Sequence, residues 1–365
     1  MDTLGSVACA IAEKLPLSLR TTNNPNTTTD LLKIPEVRDA KLLATGGFNS
    51  VWLVKLRQPL QTLNAPLVDK FILRLPSDES LLPQQITNDV AFKQFVANKL
   101  PHIPVPKVYF HQATQDADTS FIVEEYIDCP PLASTWMSLT LPQKENLAQA
   151  LAKIIVDLSE VKFDMIGGLD PIDWSLTHTV EGCKLFKGRG KFHRNECYPI
   201  GPYKSTKEYV LSCYDREIYY YTHATDEDLD ADFFTEVSVD EFVEELRKKR
   251  HALSTSNIVD EPFVLVHGDL HGRNILACGD QITAVLDWDF AGSYPLSEAL
   301  SHGDVDVVEM HSEELYNENV TWGRKIRTFV QHEVVRRSWG QSRIDLLMGD
   351  GNEELAMARM EMFPE

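Results

Sequence analysis

The sequence predicts an α+β fold in two parts: a small, mostly antiparallel β part with one main helix, followed by a larger and mostly helical part. Three observations carry this expectation. Between residues 41 and 127, five short apolar runs rich in β-branched and aromatic residues alternate with glycine, proline and polar breaks. After Asp128-Cys129-Pro130-Pro131 the apolar spacing lengthens to the helical period. Late in the chain, two apolar runs, VLV and AVL, flank a dense cluster of polar side chains. A length of 365 residues suits two lobes. The expected boundaries are an N-terminal extension at 1–36, a first lobe at 37–127 and a second at 128–365.

Taken in order, residues 1–36 hold one helix-like segment and the polar loop TTNNPNTTTD. LLATGGFNSVWLVKL reads as strand, glycine turn, strand, and KFILRL as a third strand. NDVAFKQFVANKL, from Asn88 to Leu100, places Val90, Ala91, Phe95, Val96 and Leu100 at helical spacing. IPVPKVYFH cannot be helical at its prolines and resumes as strand, and FIVEEYI is a further strand. From Leu141, LPQKENLAQALAKIIVDLSEV is a strong amphipathic helix with Pro142 in its first turn. Residues 163–206, rich in Gly, Pro and aromatics, read as a long irregular insertion. Two helices follow, KEYVLSCYDREIYYYTHA and DEFVEELRKKRHAL. The second has acids in its first turns and bases assigned to its last, as the helix dipole prefers. The remainder from Ser297 reads as helical.

Composition excludes several classes. Hydrophobic residues make up 43%, enough for a real core, and the formal net charge is −20. A surface this acidic does not attract phosphate backbones, so no nucleic-acid partner is expected. The charge favours a cationic partner, or serves solubility alone. No apolar run approaches the roughly 20 residues of a membrane span. The N-terminus lacks the basic start of a signal peptide, so the expected location is cytoplasmic. Cys9, Cys129, Cys183, Cys197, Cys213 and Cys278 are scattered without metal-ligand spacing and read as free thiols in a reducing compartment. The acidic run DEDLDADFFTEVSVDEFVEE reads as a solvated loop and helix face, with docking of an amine as the sharper alternative.

The chemistry concentrates in FVLVHGDLHGRNIL and the downstream VLDWDFAG. His267, Asp269, His271, Arg273 and Asn274 fall within eight residues; Asn274 lies five residues after Asp269, and Asp287 thirteen further on. Phosphoryl transfer needs this inventory. One carboxylate faces the acceptor hydroxyl, while an amide oxygen and a second carboxylate hold Mg²⁺ on the nucleotide phosphates. In residue type, order and spacing, HGDLHGRN followed by LDWDFAG resembles the aminoglycoside phosphotransferase/choline kinase branch of the protein-kinase-like superfamily. GPYKSTKEYV resembles text of poorly characterised fungal members. The resemblance runs from about residue 40 to 340 and implies the bilobal protein-kinase-like fold. It implies Asp269 as catalytic base, Asn274 and Asp287 as Mg²⁺ ligands, and His267 as structural support. Gly46, Gly47, Phe48 and Asn49 take the place of the glycine-rich loop, whose backbone N–H groups approach phosphates. The backbone near Glu125 and Ile127 takes the place of the hinge that meets the nucleotide base.

Two positions depart from the protein-kinase pattern. Arg74 stands where a Lys is usual, and Asp89 where the helix carries a Glu. A longer cation facing a shorter anion would keep that pair; alternatively, Asp89 is a helix-start acid or cap. A double-mutant cycle on nucleotide affinity separates the two, since full additivity excludes coupling. Asp289 reads as structural or as a further metal-holding acid, and His271 as a phosphate contact or a carboxylate partner. The function implied is a small-molecule kinase moving the γ-phosphate of ATP or GTP to a hydroxyl. A non-catalytic nucleotide-binding protein on the same fold and a protein kinase are the alternatives. Against the last, no APE-like element follows LDWDFAG.

Overall fold

A computed structural model of the chain describes residues 37–60, 68–180, 190–225, 234, 237–300, 305–352 and 355. The helix-like N-terminal segment, Cys9, Cys183 and most of the acidic run's first half lie outside the described residues. The chain divides into two compact units, residues 1–86 with 106–128, and residues 87–105 with 129–365.

In the first unit, β1 (Val37–Thr45), β2 (Asn49–Leu60), β3 (Val68–Pro76), β4 (Val108–Gln112) and β5 (Phe121–Glu125) form one antiparallel sheet in the order β1-β2-β3-β5-β4. Side chains alternate across a strand. Phe71 and Leu73 of β3 therefore join Val54, Leu56, Phe121 and Val123 in a buried cluster, while Arg74 turns away from them. Arg74 pairs in register with Val51 on one side and Ile122 on the other. It is only 5% exposed.

The second unit begins within helix α1 (Gln84–Lys99), whose residues from Thr87 onward belong to it. The helix starts four residues before the sequence spacing implied. Its first turn, Gln84-Gln85-Ile86-Thr87, carries a single apolar residue, Ile86; there Gln85 N bonds Leu81 O (2.7 Å) and Gln85 Oε1 accepts from Leu81 N (2.9 Å). This overturns the reading of Asp89 as a helix cap: it lies in the second turn and is 0% exposed. A short helix α2 (Leu132–Thr135) precedes α3 (Leu141–Ser159), which opens with a capping box between Thr140 and Gln143. The expected irregular stretch holds only short pairings, with β6 (Lys162–Phe163), β7 (Gly168–Leu169) and β8 (Leu176–Thr177).

Helices α4 (Thr206–His223) and α5 (Val239–Thr255) follow. Capping by Ser238 and Glu241 fixes the start of α5. The helix runs past its lysines and arginines, so the bases assigned to its last turn lie a turn earlier. β9 (Phe263–Val266), β10 (Ile275–Cys278), β11 (Gln281–Val285) and β12 (Gly292–Pro295) frame the motif, and α6 (Glu313–Arg336) and α7 (Gln341–Met348) end the unit. The tail expected to be helical from Ser297 thus starts with a 3₁₀ turn at Leu296–Ala299 and becomes helical at Glu313.

Two buried clusters hold this unit together. The larger joins α3, α4, α5 and α6. The other packs Ala91, Phe92, Phe95 and Val96 of α1 against Ile154 and Leu158 of α3, Leu265 of β9, Val285 of β11 and Trp288. Helix α1 is thereby pinned beside the polar motif by apolar contact. The free-thiol reading fails for one pair. Cys129 and Cys278 form a disulfide with Cα atoms 5.6 Å apart. The chain after Asp128 runs against β10, where Pro131 and Leu276 form an antiparallel bridge, and this lays the two cysteines side by side. Cys197 and Cys213 are free.

Candidate active site

Two loops of the second unit make the site, and backbone bonds join them. The first leaves β9 through His267, Gly268 and Asp269, turns at Gly272–Asn274 and enters β10. The second leaves β11 through Leu286, Asp287 and Trp288 and reaches β12 at Gly292. Leu286 N bonds Asn274 O at 2.7 Å, and His267 Nε2 donates to Leu286 O at 2.9 Å. His267 Nδ1 accepts from Asp269 N at 3.3 Å. With one nitrogen donating and the other accepting, His267 is a neutral tautomer; burial holds its pKa below the usual histidine range. It is a brace for both loops.

Gly268 shows how closely the loops cross. Its φ is +83°, and a Cβ there would lie 2.3 Å from Phe290 O. Only glycine combines that backbone conformation with that approach. Asp287 also has positive φ, at 60°, and is one of three described non-glycine residues to do so. Its neighbours are anchored on both sides: Leu286 by Asn274 and His267, and Trp288 by its N–H bond to Asp89 Oδ1 at 2.9 Å.

Asp269 is half-enclosed. Its Oδ2 accepts from Asn274 Nδ2 at 3.0 Å, and the same amide donates to Asp269 O at 2.9 Å. Its Oδ1 lies 3.0 Å from His271 Nε2 and 3.8 Å from Arg273 Nη2. Burial pushes the carboxyl upward, but the His271 contact and the Arg273 guanidinium outweigh it and hold the pKa below the ordinary carboxylate range. Of the two roles open to His271, the structure displays the carboxylate contact.

Carboxylate oxygens of Asp89, Asp287 and Asp289 lie within 4.8 Å of one another. Such an all-oxygen set suits a hard divalent ion. The three are not equivalent. Asp89 Oδ2 accepts from the buried Lys93 Nζ at 2.8 Å while its Oδ1 holds Trp288 N. Asn274 gives its amide nitrogen to Asp269. A cavity of about 200 Å³ opens beside Asp269, with apolar walls from Ile155, Leu158, Leu265, Leu270 and Leu300 and with Glu298 and Asp306 at its polar side.

The second unit therefore brings together Asp269, Asn274, Asp287 and Asp89. The other expected residues belong to the first unit. Gly46–Asn49 form the tight β1–β2 turn, closed by a bond from Gly46 N to Asn49 O (2.8 Å) and by Ser77 and Ser80 donating to Gly47 O and Phe48 O. A Cβ on Gly47 would meet nothing within 4 Å, so local packing does not demand glycine there. Glu125 ends β5, its N–H bonded to Lys107 O at 2.9 Å and its side chain to Lys107 N at 3.2 Å; Ile127 follows, partly buried. Sequence reading missed Lys93 and Asn88. The Asp89–Lys93 spacing of four on a helix was a visible signal; nothing in the sequence pointed to Asn88.

An antiparallel sheet unit, a largely helical unit, paired catalytic-type loops and a buried acidic cluster define a kinase-like phosphotransferase catalytic domain. Residues 40–301, more than half of the chain, match the model of the phosphotransferase enzyme family, and the chain belongs to that family. Two subtelomeric hrmA-associated cluster proteins, from two strains of Aspergillus fumigatus, are each 25% identical over 142 residues. The match covers 37% of this chain and 26% of theirs, so the chain spans about a quarter of the curated relatives it matches. Among solved structures, a thermostable mutant of aminoglycoside phosphotransferase APH(4)-Ia with AMP-PNP and hygromycin B is 14% identical, with a TM-score of 0.47 over 89% of this chain and 92% of that one. Aminoglycoside phosphotransferase APH(2'')-Ib bound to ADP is 16% identical, with a TM-score of 0.47 over 90% and 95%. No helix among the described residues is long and apolar enough to cross a membrane.

Proposed function

We propose that the protein is a small-molecule kinase that transfers the γ-phosphate of ATP or GTP to an acceptor hydroxyl. The observation that carries this reading is the joining of the two loops, which makes Asp269 and the Asp287–Asp289 pair one braced unit. Asp269, ionised at neutral pH, orients the acceptor hydroxyl and takes its proton late, as a loose phosphoryl transition state requires. His271 and Arg273 keep that carboxylate charged and aimed. Asn274, Asp287 and Asp289 would hold Mg²⁺. When bound, the ion supplies charge neutralisation on the phosphates. The Gly46–Asn49 turn, whose Gly46 N–H is spent on Asn49 O, brings the backbone at Gly47 and Phe48 to the phosphates, Arg74 offers a forked cation, and the backbone at Glu125 and Ile127 meets the base. The open space at Gly47 is what close approach of a phosphate would use. The apolar walls beside Asp269 favour an acceptor with a compact apolar body, and the acids at its polar side favour a cationic group on it.

The chain passes from the second loop straight into β12, which pairs with β9, where a protein kinase would carry an activation segment. That favours a small acceptor over a protein. A non-catalytic nucleotide binder is the second reading, and Arg74 in the place of Lys is its support.

The test is the thermal unfolding midpoint with Mg·ATP and with Mg·GTP, in wild type, Asp287→Ala and Asp269→Ala, followed by a screen of hydroxyl acceptors. A ligand at 100 times its Kd stabilises by about 2.7 kcal/mol. The expected shift is Mg²⁺-dependent, lost in Asp287→Ala and kept in Asp269→Ala, and Asp269→Ala loses turnover. No shift with either nucleotide sinks the reading; a shift without turnover on any acceptor moves it to the second.

A further inference from the structure

Helix α1 reaches the second loop with two consecutive side chains. Asn88 Nδ2 donates to Asp289 O at 2.9 Å and to Ala291 O at 2.8 Å, while its Oδ1 accepts from Leu169 N at 3.2 Å. Asn88 is 2% exposed, so these bonds face no competition from water. Next to it, Asp89 Oδ1 accepts from Trp288 N, and one turn on Lys93 donates to Asp89 Oδ2. Asp89 and Lys93 are 0% and 1% exposed. Three backbone groups of one short loop, at Trp288, Asp289 and Ala291, are thus held by one helix. Between the held residues Leu286 and Trp288 lies Asp287 in its left-handed conformation.

We propose that Asn88 and Lys93 are positioning residues for the Asp287 loop: Asn88 acts directly on its carbonyls, and Lys93 acts by fixing the Asp89 carboxylate that holds Trp288 N. A left-handed aspartate persists only when its surroundings over-determine it. Asn88 and Asp89 supply that constraint from one side, Asn274 and His267 from the other. Lys93 is required because Asp89 lies fully buried beside two further carboxylates. Without the ammonium, a buried carboxylate among like charges is driven out of place, and it takes the Trp288 bond with it. Apolar packing of Phe92, Phe95 and Val96 keeps α1 itself fixed, so the clamp acts through these polar contacts on a rigid support.

The metal-affinity part of this inference rests on the kinase reading; the loop-holding part does not. Full-length wild type, Asn88→Asp and Lys93→Met are compared by hydrogen exchange and by Mn²⁺ affinity in the presence of nucleotide. Asn88→Asp keeps the volume and the acceptor for Leu169 N but removes both donors; Lys93→Met keeps the stem and removes the charge. In each variant the expected result is exchange over residues 286–291 about tenfold faster, unchanged exchange in β9 and the β10–β11 hairpin, and Mn²⁺ affinity weaker by about tenfold, the scale seen when groups behind metal ligands are lost. Loop exchange equal to wild type in both variants overturns the proposal. Exchange raised uniformly across the protein also overturns it, because the residues would then be merely structural. If wild type binds no Mn²⁺, the kinase reading falls, and the exchange comparison still decides whether α1 holds the loop.

Discussion

Replacing Gly268 by alanine tests whether the crossing of the two loops is as tight as the site requires. Two costs are separable. An alanine at φ +83° carries backbone strain of roughly 1–2 kcal/mol. Its Cβ would also lie 2.3 Å from Phe290 O and 2.9 Å from Phe290 C, both backbone atoms. That carbonyl cannot simply step aside, because Asn88 holds the carbonyls of Asp289 and Ala291 on either side of it. Overpacking of this kind costs roughly 1–3 kcal/mol. The expected loss for Gly268→Ala is therefore about 2–5 kcal/mol. Gly279 provides the control: its φ is +62°, but a Cβ there meets nothing within 4 Å. Gly279→Ala should cost only the strain, roughly 1–2 kcal/mol. Urea unfolding of both variants gives the difference between them, which isolates the close approach. Where Gly268→Ala remains folded, the loops separate, and Mg²⁺-dependent nucleotide stabilisation should fall with them. Equal losses in the two variants, or a Gly268→Ala protein within about 0.5 kcal/mol of wild type, would refute the tight crossing and the braced site derived from it.

Further outcomes are expected elsewhere. His193 donates from Nε2 to Thr179 O (2.7 Å) and accepts at Nδ1 from Tyr198 (2.9 Å), and burial lowers its pKa to about 4. Unfolding lets it bind a proton at its ordinary value of about 6.5, so stability should fall as pH drops from there toward about 4, by roughly 3 kcal/mol from this residue; His193→Gln should flatten that part of a pH-stability profile, and an unchanged profile would exclude the assignment. Asp269, with its pKa depressed, contributes stability that is present above the unfolded value near ~3.9 and lost as pH falls through its folded value; Asp269→Asn should remove that acid limb. The Cys129–Cys278 bridge closes a separation of 149 residues, for which chain entropy gives an upper value of about 5 kcal/mol. Cys129→Ser should unfold at lower urea, and a thiol-reductant titration that leaves the wild-type midpoint unmoved would contradict the bridge. Arg337 lies 2.6 Å from Asp157, 2.7 Å from Glu333 and 2.8 Å from Glu160, so Arg337→Ala, which leaves three neighbouring acids facing one another, should destabilise by about 2 kcal/mol, less at high salt.

Much of the site was legible before any coordinates. The run HGDLHGRN lies between apolar strands, and HGD, N and the later DWD are close in the chain, so spacing alone constrained them to neighbouring loops. The five strands of the first unit were legible because short apolar runs rich in β-branched and aromatic residues stand between glycine, proline and polar breaks, and Phe71 and Leu73 lie buried beside Val123 accordingly. Where that local signal was absent, the reading slipped. Helix α1 was placed to begin at Asn88 because residues 84–87 offer only one apolar residue, Ile86, and that error made Asp89 look like a cap. The bases of α5 were assigned to a last turn that in fact lies beyond them.

Period, turn chemistry and short-range motif spacing are properties of neighbouring residues, and they set the strands, the main helices and the family-defining loops of this protein. Folding had to settle which distant groups meet. Asp89 lies 199 residues from Trp288, and Asn88 lies 201 from Asp289. Cys129 lies 149 from Cys278. No local pattern encodes such pairs, because they arise only when apolar packing of α1 against α3, β9 and β11 sets one buried polar group beside another. The loops could be read from spacing; the clamp that holds them depends on that packing.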